Sequence, residues 1–194
     1  SSDLDAAGKT TLADALAQLM KESGREIIRA SIDGFHRPRS ERLARGALSP
    51  LGYYQDSFDY GCLQDALLVP LSSGNPGRFH RRMFNYVGDR PAVGEAATCT
   101  SRAVLLFDGV FLFRPEINAR WDYRIFLDVS FEEALRRAVA RDGEKMGGEA
   151  ATVEKYRRRY FSGQRMYFDR VEPRRLADVV IEYDDPNASR IIAP

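Results

Sequence analysis

Four short apolar runs, rich in β-branched residues, punctuate the chain at residues 26–32, 103–107, 123–129 and 177–183. Runs of this length between turn signals predict buried strands, and each lies near a longer stretch of helical periodicity. Between residues 10 and 22, Leu12, Ala15, Leu16 and Leu19 recur at helical spacing, and Ser23-Gly24 supplies the stop. Residues 131–141 follow Ser130, an N-cap candidate, and carry Glu132 and Glu133 in the first turn, where the helix dipole favours acids. Residues 149–171 read as one or two helices, with Gly163 as the break. In residues 78–102 aromatic and polar positions alternate, and Gly88-Asp89-Arg90-Pro91 marks a turn, so a projecting β-hairpin is expected there. Strands alternating with helices predict an α/β fold with a mainly parallel sheet. The chain reaches Gly8-Lys9-Thr10-Thr11 with no room for a preceding strand, which in an open α/β sheet would be the central one. The expectation is a sheet short of that strand, or one that departs from the usual plan.

Composition narrows the class. The 194 residues are 44% hydrophobic and 29% charged, close to globular averages and enough for a single domain (1–194) with its own core. Lys plus Arg (29) nearly cancels Asp plus Glu (28), so the chain is no polycation built to coat nucleic acid. Cys62 and Cys99 are too few for a disulfide framework and match no zinc spacing. The most apolar stretch, residues 103–113, is interrupted by Asp108 and Gly109, and the first residues lack a signal-peptide pattern. A cytoplasmic protein with a small-molecule substrate, and with no nucleic-acid or membrane partner, is therefore expected; a homo-oligomer is left open. Charge is nevertheless uneven. Residues 136–175 hold twelve Lys/Arg against six Asp/Glu, and residues 36–45 hold four Arg against one Glu.

Asp3-Leu4-Asp5-Ala6-Ala7-Gly8-Lys9-Thr10 reads as a phosphate-binding loop opening a helix, with Asp3 where the pattern has its first glycine. Backbone N–H groups from Ala6 to Thr11 would surround a phosphate at the positive end of the helix, Lys9 would reach the β/γ-phosphates, and the Thr10 hydroxyl would hold Mg²⁺. If position 3 or 6 needs a positive φ, a Cβ there costs roughly 1–2 kcal/mol. A carboxylate at about 4 Å from a phosphate charge costs about 4 kcal/mol at an effective dielectric of 20. The alternative is a chance Gly-Lys-Thr at an ordinary helix start. Asp33 ends the first apolar run in Ile32-Asp33-Gly34-Phe35-His36-Arg37, at the edge where parallel sheets bind ligands. It is a candidate base for a hydroxyl acceptor, or else a capping Asp before a turn. Asp108 follows the second run and is a candidate Mg²⁺ acid, or again a turn residue. Asp128 reads better as a cap for the next helix. His36 is a candidate substrate contact rather than a base, and neither cysteine has a thiolate-stabilising neighbourhood. Of the arginines, Arg137 and Arg141 share a helix face and could neutralise a transferring phosphoryl group, whereas Arg157-Arg158-Arg159 reads as surface.

Taken together, these segments resemble the uridine kinase family of P-loop nucleoside kinases over residues 7–185. The specific pieces are Asp33-Gly34-Phe35-His36-Arg37, Ser57-Phe58-Asp59-Tyr60, and Val171-Glu172-Pro173 followed by Ala177-Asp178-Val179-Val180-Ile181. The resemblance implies a P-loop NTPase fold, three-layer α/β/α, with a five-stranded parallel sheet, a substrate hairpin (78–102) and a helical lid with its following helix (136–172). It also implies ATP and Mg²⁺ as cofactors. By position it makes Asp33 the catalytic acid, with His36 replacing a tyrosine, and Asp59 the acid that holds ribose hydroxyls, without the His-Pro that follows in the family. Phe84 and Tyr86 fall where hairpin aromatics flank the base; Gly88 and Asp89 occupy the stretch of a family histidine. Arg137 and Arg141 match the lid segment R-x-x-x-R-D. Similar segments occur in pantothenate kinase and phosphoribulokinase, so the reading is a kinase for a primary hydroxyl with a nucleoside 5′-OH as leading acceptor. Pantothenate or a sugar phosphate is the alternative acceptor, and a nucleotide-binding module weakened in catalysis the alternative function.

Overall fold

The computed structural model describes residues 5–72 and 77–192. The four apolar runs form strands: β1 (Ile27–Ser31), β4 (Val104–Asp108), β5 (Ile125–Asp128) and β6 (Val179–Glu182). β1 pairs with β4 in parallel, Ser31 opposite Asp108, and β5 pairs with β6 in parallel. Two short strands between them, β2 (Phe84–Asn85) and β3 (Arg90–Pro91), form an antiparallel pair. A last strand, β7 (Arg190–Ile192), adds antiparallel to β6 and was not legible from periodicity.

The implied single five-stranded parallel sheet is therefore corrected in two respects. Among the described residues the sheet falls into a β1–β4 part and a β5–β6–β7 part, and its outermost strand is antiparallel. Between β4 and β5, beneath the helix α1 (Lys9–Glu22), runs a narrow apolar slot. Leu12 and Leu16 of α1, Leu105 and Phe107 of β4, and Trp121 and Ile125 on the far side line it.

Helix ends follow the chemistry of the residues at them. α1 starts from Gly8, whose φ of 89° and ψ of 14° turn the loop into the helix, and ends at Ser23. The helix Phe131–Asp142 starts at Ser130, whose hydroxyl accepts from the Glu133 N–H at 3.2 Å. Asp128, expected to cap this helix, does not; its carboxylate pairs instead with Arg174. Gly163 does not break the helical stretch either. Residues 149–171 run on through a π-helical turn, Tyr156–Phe161, into Ser162–Val171. A Cβ at Gly163 would lie 2.8 Å from the Tyr53 ring and 2.9 Å from the Pro50 carbonyl, so the glycine permits close packing rather than a turn.

Two apolar clusters flank the sheet. The larger gathers Ile28, Ile32, Phe35, Phe58, Phe79, Phe111 and Tyr167; the smaller gathers Ala7, Leu127, Val129, Ala134, Ala138, Tyr156 and Phe161. Phe111, fully buried, has a φ of 62°, a costly conformation for a bulky residue. Rings of Tyr53, Tyr54 and Tyr167 at 5.0–5.3 Å hold it there. The turn after Asp108 is thereby fixed from the core side. Among the described residues no helix is long and apolar enough to cross a membrane.

Candidate functional site

The pairing of β1 with β4 decides the site. With Ser31 opposite Asp108, the turn that follows β1 and the last residue of β4 emerge at the same end of the sheet, and α1 starts beside them. Three segments far apart in sequence thus converge: the loop 5–11, the turn Ile32–Phe35 and Asp108.

In the loop, Ala6 sits at φ 63° and Gly8 at φ 89°. The conditional penalty for a Cβ at position 6 therefore applies, at roughly 1–2 kcal/mol. Asp3 lies outside the described residues. Ala7 is buried; Lys9 is part-buried, and Thr11 is exposed at the helix start. The Thr10 hydroxyl donates to Asp108 Oδ2 at 2.7 Å. Asp108 is almost completely buried, and its other oxygen accepts from Arg29 at 2.9 Å. Two hard oxygens, a hydroxyl and a buried carboxylate, fit a Mg²⁺ ion whose remaining ligands come from phosphates and water. No cluster of three His, Cys, Asp or Glu able to hold a metal occurs among the described residues.

Asp33 does not cap its turn. That role falls to Ser31, whose hydroxyl accepts from the Asp33 N–H at 3.3 Å, and the Asp33 carboxylate makes no side-chain hydrogen bond among the described residues. The side chain stands 59% exposed. Partial burial there, followed by the charges of Asp5 and Asp108, raises its pKa from 3.8 to about 6, against the opposing pull of Lys9 and Arg141. Gly34 behind it is required by close approach: a Cβ would lie 2.8 Å from Arg82 Cβ and 3.1 Å from Arg82 Cα. The Met83 N–H donates to the Gly34 carbonyl at 2.8 Å, tying the segment before β2 to this turn.

Residues expected to contact substrate assemble on the other side of that segment. His36, Asp59 and Phe84 line one recess, with Arg37, Glu41 and Met83. Tyr86 is half-exposed and stacks on the His36 ring at 4.8 Å and 30°. Phe58 packs on the imidazole at 4.5 Å, and Nδ1 lies 3.1 Å from the Asp33 carbonyl. Burial lowers the His36 pKa to about 4, so the ring is neutral and makes no ion pair with the Asp33 carboxylate 3.9 Å away. Asp59 also caps the helix Tyr60–Leu63, accepting from the Cys62 N–H at 2.9 Å. Within residues 78–102 the hairpin runs from an antiparallel bridge between Phe79 and Ala97 to the β2–β3 pair near its tip. Its turn is closed by Asn85, which accepts from the N–H groups of Val87 and Gly88, and Asp89 ties its tip to Arg39 and Arg42.

The arginines divide differently from their sequence pattern. Arg137 is turned to the back of the phosphate loop: it donates to the Ala7 carbonyl at 3.2 Å and to the Tyr183 and Asp184 carbonyls at 2.8 Å, and pairs with Glu133. Arg141 pairs with Asp142, reaches the Tyr156 hydroxyl at 3.2 Å, and lies near enough to oppose the rise in the Asp33 pKa. Arg157 and Arg158 are exposed as expected, but Arg159 is buried and donates to the carbonyls of Arg42, Ala47 and Ser49. Two residues of the site went unread in the sequence. Asp5, the second acid of the loop, accepts from Tyr53 at 2.6 Å and from buried Gln164 at 3.2 Å. Arg29 is a cation inside an apolar run, which was the available signal.

A uridine kinase from Chlamydia pneumoniae is 25% identical over 179 residues, which cover 90% of this chain and 76% of that protein. A structure titled as a possible uridine kinase, from Bacillus stearothermophilus, has a TM-score of 0.72 at 24% identity, covering 91% of this chain and 83% of its own. A proposed fructose transport system kinase from Silicibacter sp. TM1040 gives 0.70 at 24% identity, over 87% and 82%. No protein-family model matches the chain. The chain thus resembles uridine kinase over most of its length, and it shares the α/β fold of these kinase-like structures.

Proposed function

We propose that the chain is a kinase that transfers the γ-phosphoryl group of ATP to a primary hydroxyl of a small molecule, with a nucleoside 5′-OH as the leading acceptor. The observation that carries this reading is the convergence of the Gly8-Lys9-Thr10 helix start with Asp33 and Asp108 at one end of the β1–β4 pair. The names of the similar proteins, a uridine kinase, a possible uridine kinase and a proposed fructose transport system kinase, support phosphoryl transfer and leave both acceptor types in play.

In this reading the loop amides and Lys9 bind the phosphates. Thr10 and Asp108 hold Mg²⁺, which supplies neutralisation of the charge that builds on the phosphates. Asp33 orients the acceptor hydroxyl and takes its proton as the new O–P bond forms and the β–γ bridging P–O bond breaks, releasing ADP. A base with a pKa of about 6 is ionised at neutral pH yet still basic enough to accept that proton. Arg141, whose charge acts on Asp33, stabilises charge on the transferring group from the 136–172 segment. Arg137 supports the loop from behind through the Ala7 carbonyl. The acceptor enters the recess of His36, Asp59 and Phe84, where Asp59 offers an oxygen to hydroxyls and the neutral His36–Tyr86 stack offers a flat apolar face.

The test is ADP release across nucleosides, pantothenate, hexoses and sugar phosphates. Turnover with one acceptor, lost in Asp33→Asn, supports the proposal; no turnover with any sinks the enzymatic part. A second reading, nucleotide binding without transfer, is favoured by the left-handed Ala6. Calorimetry with ATP and Mg²⁺ separates them, since that reading requires binding in the absence of turnover.

A further inference from the structure

Arg29 stands in the middle of β1, between the buried side chains of Ile28 and Ala30. Its guanidinium is part of a chain of alternating charges that leads from the buried end of the site to the surface. Nη2 donates to Asp108 Oδ1 at 2.9 Å, while the Thr10 hydroxyl occupies Oδ2 at 2.7 Å. Nη1 donates to the Leu106 carbonyl at 2.7 Å. Nε donates to Asp14 Oδ1 at 2.9 Å, and Nη2 reaches the same oxygen. Asp108 is 3% exposed in its side chain, Arg29 19% and Asp14 64%. One carboxylate is thus buried against the helix start, the other is exposed on α1, and one arginine serves both.

We infer that Asp14 and Arg29 tune how strongly Asp108 draws a divalent cation. The inference rests on the reading above, in which Thr10 and Asp108 hold Mg²⁺. Arg29 is a positioning residue. It takes Oδ1, leaves Oδ2 facing Thr10, and compensates part of the charge that attracts the cation. Asp14 shares the same guanidinium and so returns some of that attraction. It does so from the surface, through Arg29 and without touching the site. A clasp that merely ties α1 to β1 and β4 would have the same geometry, but it would not produce effects of opposite sign at its two members.

The experiment measures ADP binding by the full chain in a calorimeter across a Mg²⁺ titration. Asp14→Asn leaves the Arg29 charge to act on Asp108 alone and is expected to weaken Mg²⁺-dependent binding about three- to tenfold. That loss should fade as salt is raised, because one partner is exposed. Arg29→Gln removes the competing charge and should strengthen the Mg²⁺ dependence, and adding Asp14→Asn to it should then change nothing. Should Arg29→Gln not fold, Asp14→Glu decides the question by restoring the affinity that Asp14→Asn loses. An unchanged Mg²⁺ dependence in Asp14→Asn overturns the inference. So do shifts of the same sign in the two single variants, or an equal effect of Asp14→Asn in both backgrounds. If the wild-type chain binds ADP without any dependence on Mg²⁺, the metal reading itself fails; if it shows that dependence and Asp14→Asn does not move it, only the tuning role fails.

Discussion

Replacing Asp33 by Asn should abolish turnover and stabilise the protein at the same time. The folded state raises the Asp33 pKa from 3.8 to about 6, so it disfavours the ionised carboxylate. Below 3.8 the group is protonated in folded and unfolded chains and costs nothing. As pH rises through the window to about 6, the unfolded chain loses its proton first and stability falls; above that the cost is complete. The full shift corresponds to about 3 kcal/mol at pH 8. The side chain is 59% exposed, so screening reduces this to about 1 kcal/mol. The Asn amide carries no charge, and among the described residues no side-chain hydrogen bond is lost with the carboxylate. Urea unfolding at pH 8 should therefore show Asp33→Asn more stable by about 1 kcal/mol, with a melting temperature about 3 °C higher. At pH 4.5, early in the window, the gain should shrink to about a third of that. A variant no more stable than wild type at pH 8, or equally favoured at both pH values, would refute the claim that this corner of the fold works against the charged carboxylate. Retained turnover would refute its role as base.

Other consequences can be checked separately. Wild-type turnover should fall as pH drops through about 6, where Asp33 takes up its proton, and Asp5→Asn should move that inflection lower by removing a neighbouring negative charge; an inflection unmoved by Asp5→Asn argues against their coupling. His36, depressed to about 4, contributes stability that is full above its usual 6.5 and lost as pH falls through 4. With its side chain only 12% exposed, the loss approaches about 3 kcal/mol, and His36→Phe should remove that part of the acid sensitivity in urea titrations at pH 7 and pH 4. If the variant and wild type lose equal stability between those two values, the histidine is not the source. Phe111→Ala should cost about 3–5 kcal/mol through the cavity left among Tyr53, Tyr54 and Tyr167. A loss under about 1 kcal/mol would mean that the left-handed turn after Asp108 is not held by those rings.

Much of this arrangement is written locally. Strands, the α1 start and the Ser130 cap depend on residues a few positions apart, and periodicity with side-chain chemistry reports such features directly. Asp33 and Asp108 were legible for the same reason, as acids at the ends of apolar runs. The roles of other residues depend on what comes from far along the chain. Gly163 looks like a helix break until Tyr53 and Pro50 are packed against it, and Arg159 looks solvated until the loop 42–49 lies over it. Arg137 and Arg141 share one helix face, yet one meets the carbonyls of Ala7 and Tyr183 and the other meets Asp142 and Tyr156. The sequence by itself determined the strand and helix segments and the acids at their ends, because those follow from local hydrophobic period and capping. Only the tertiary structure decided which charges meet, since hydrogen bonds such as Thr10 to Asp108 and Tyr53 to Asp5 join residues 98 and 48 positions apart. At such separations neither spacing nor composition carries the information; the register of β1 on β4 does.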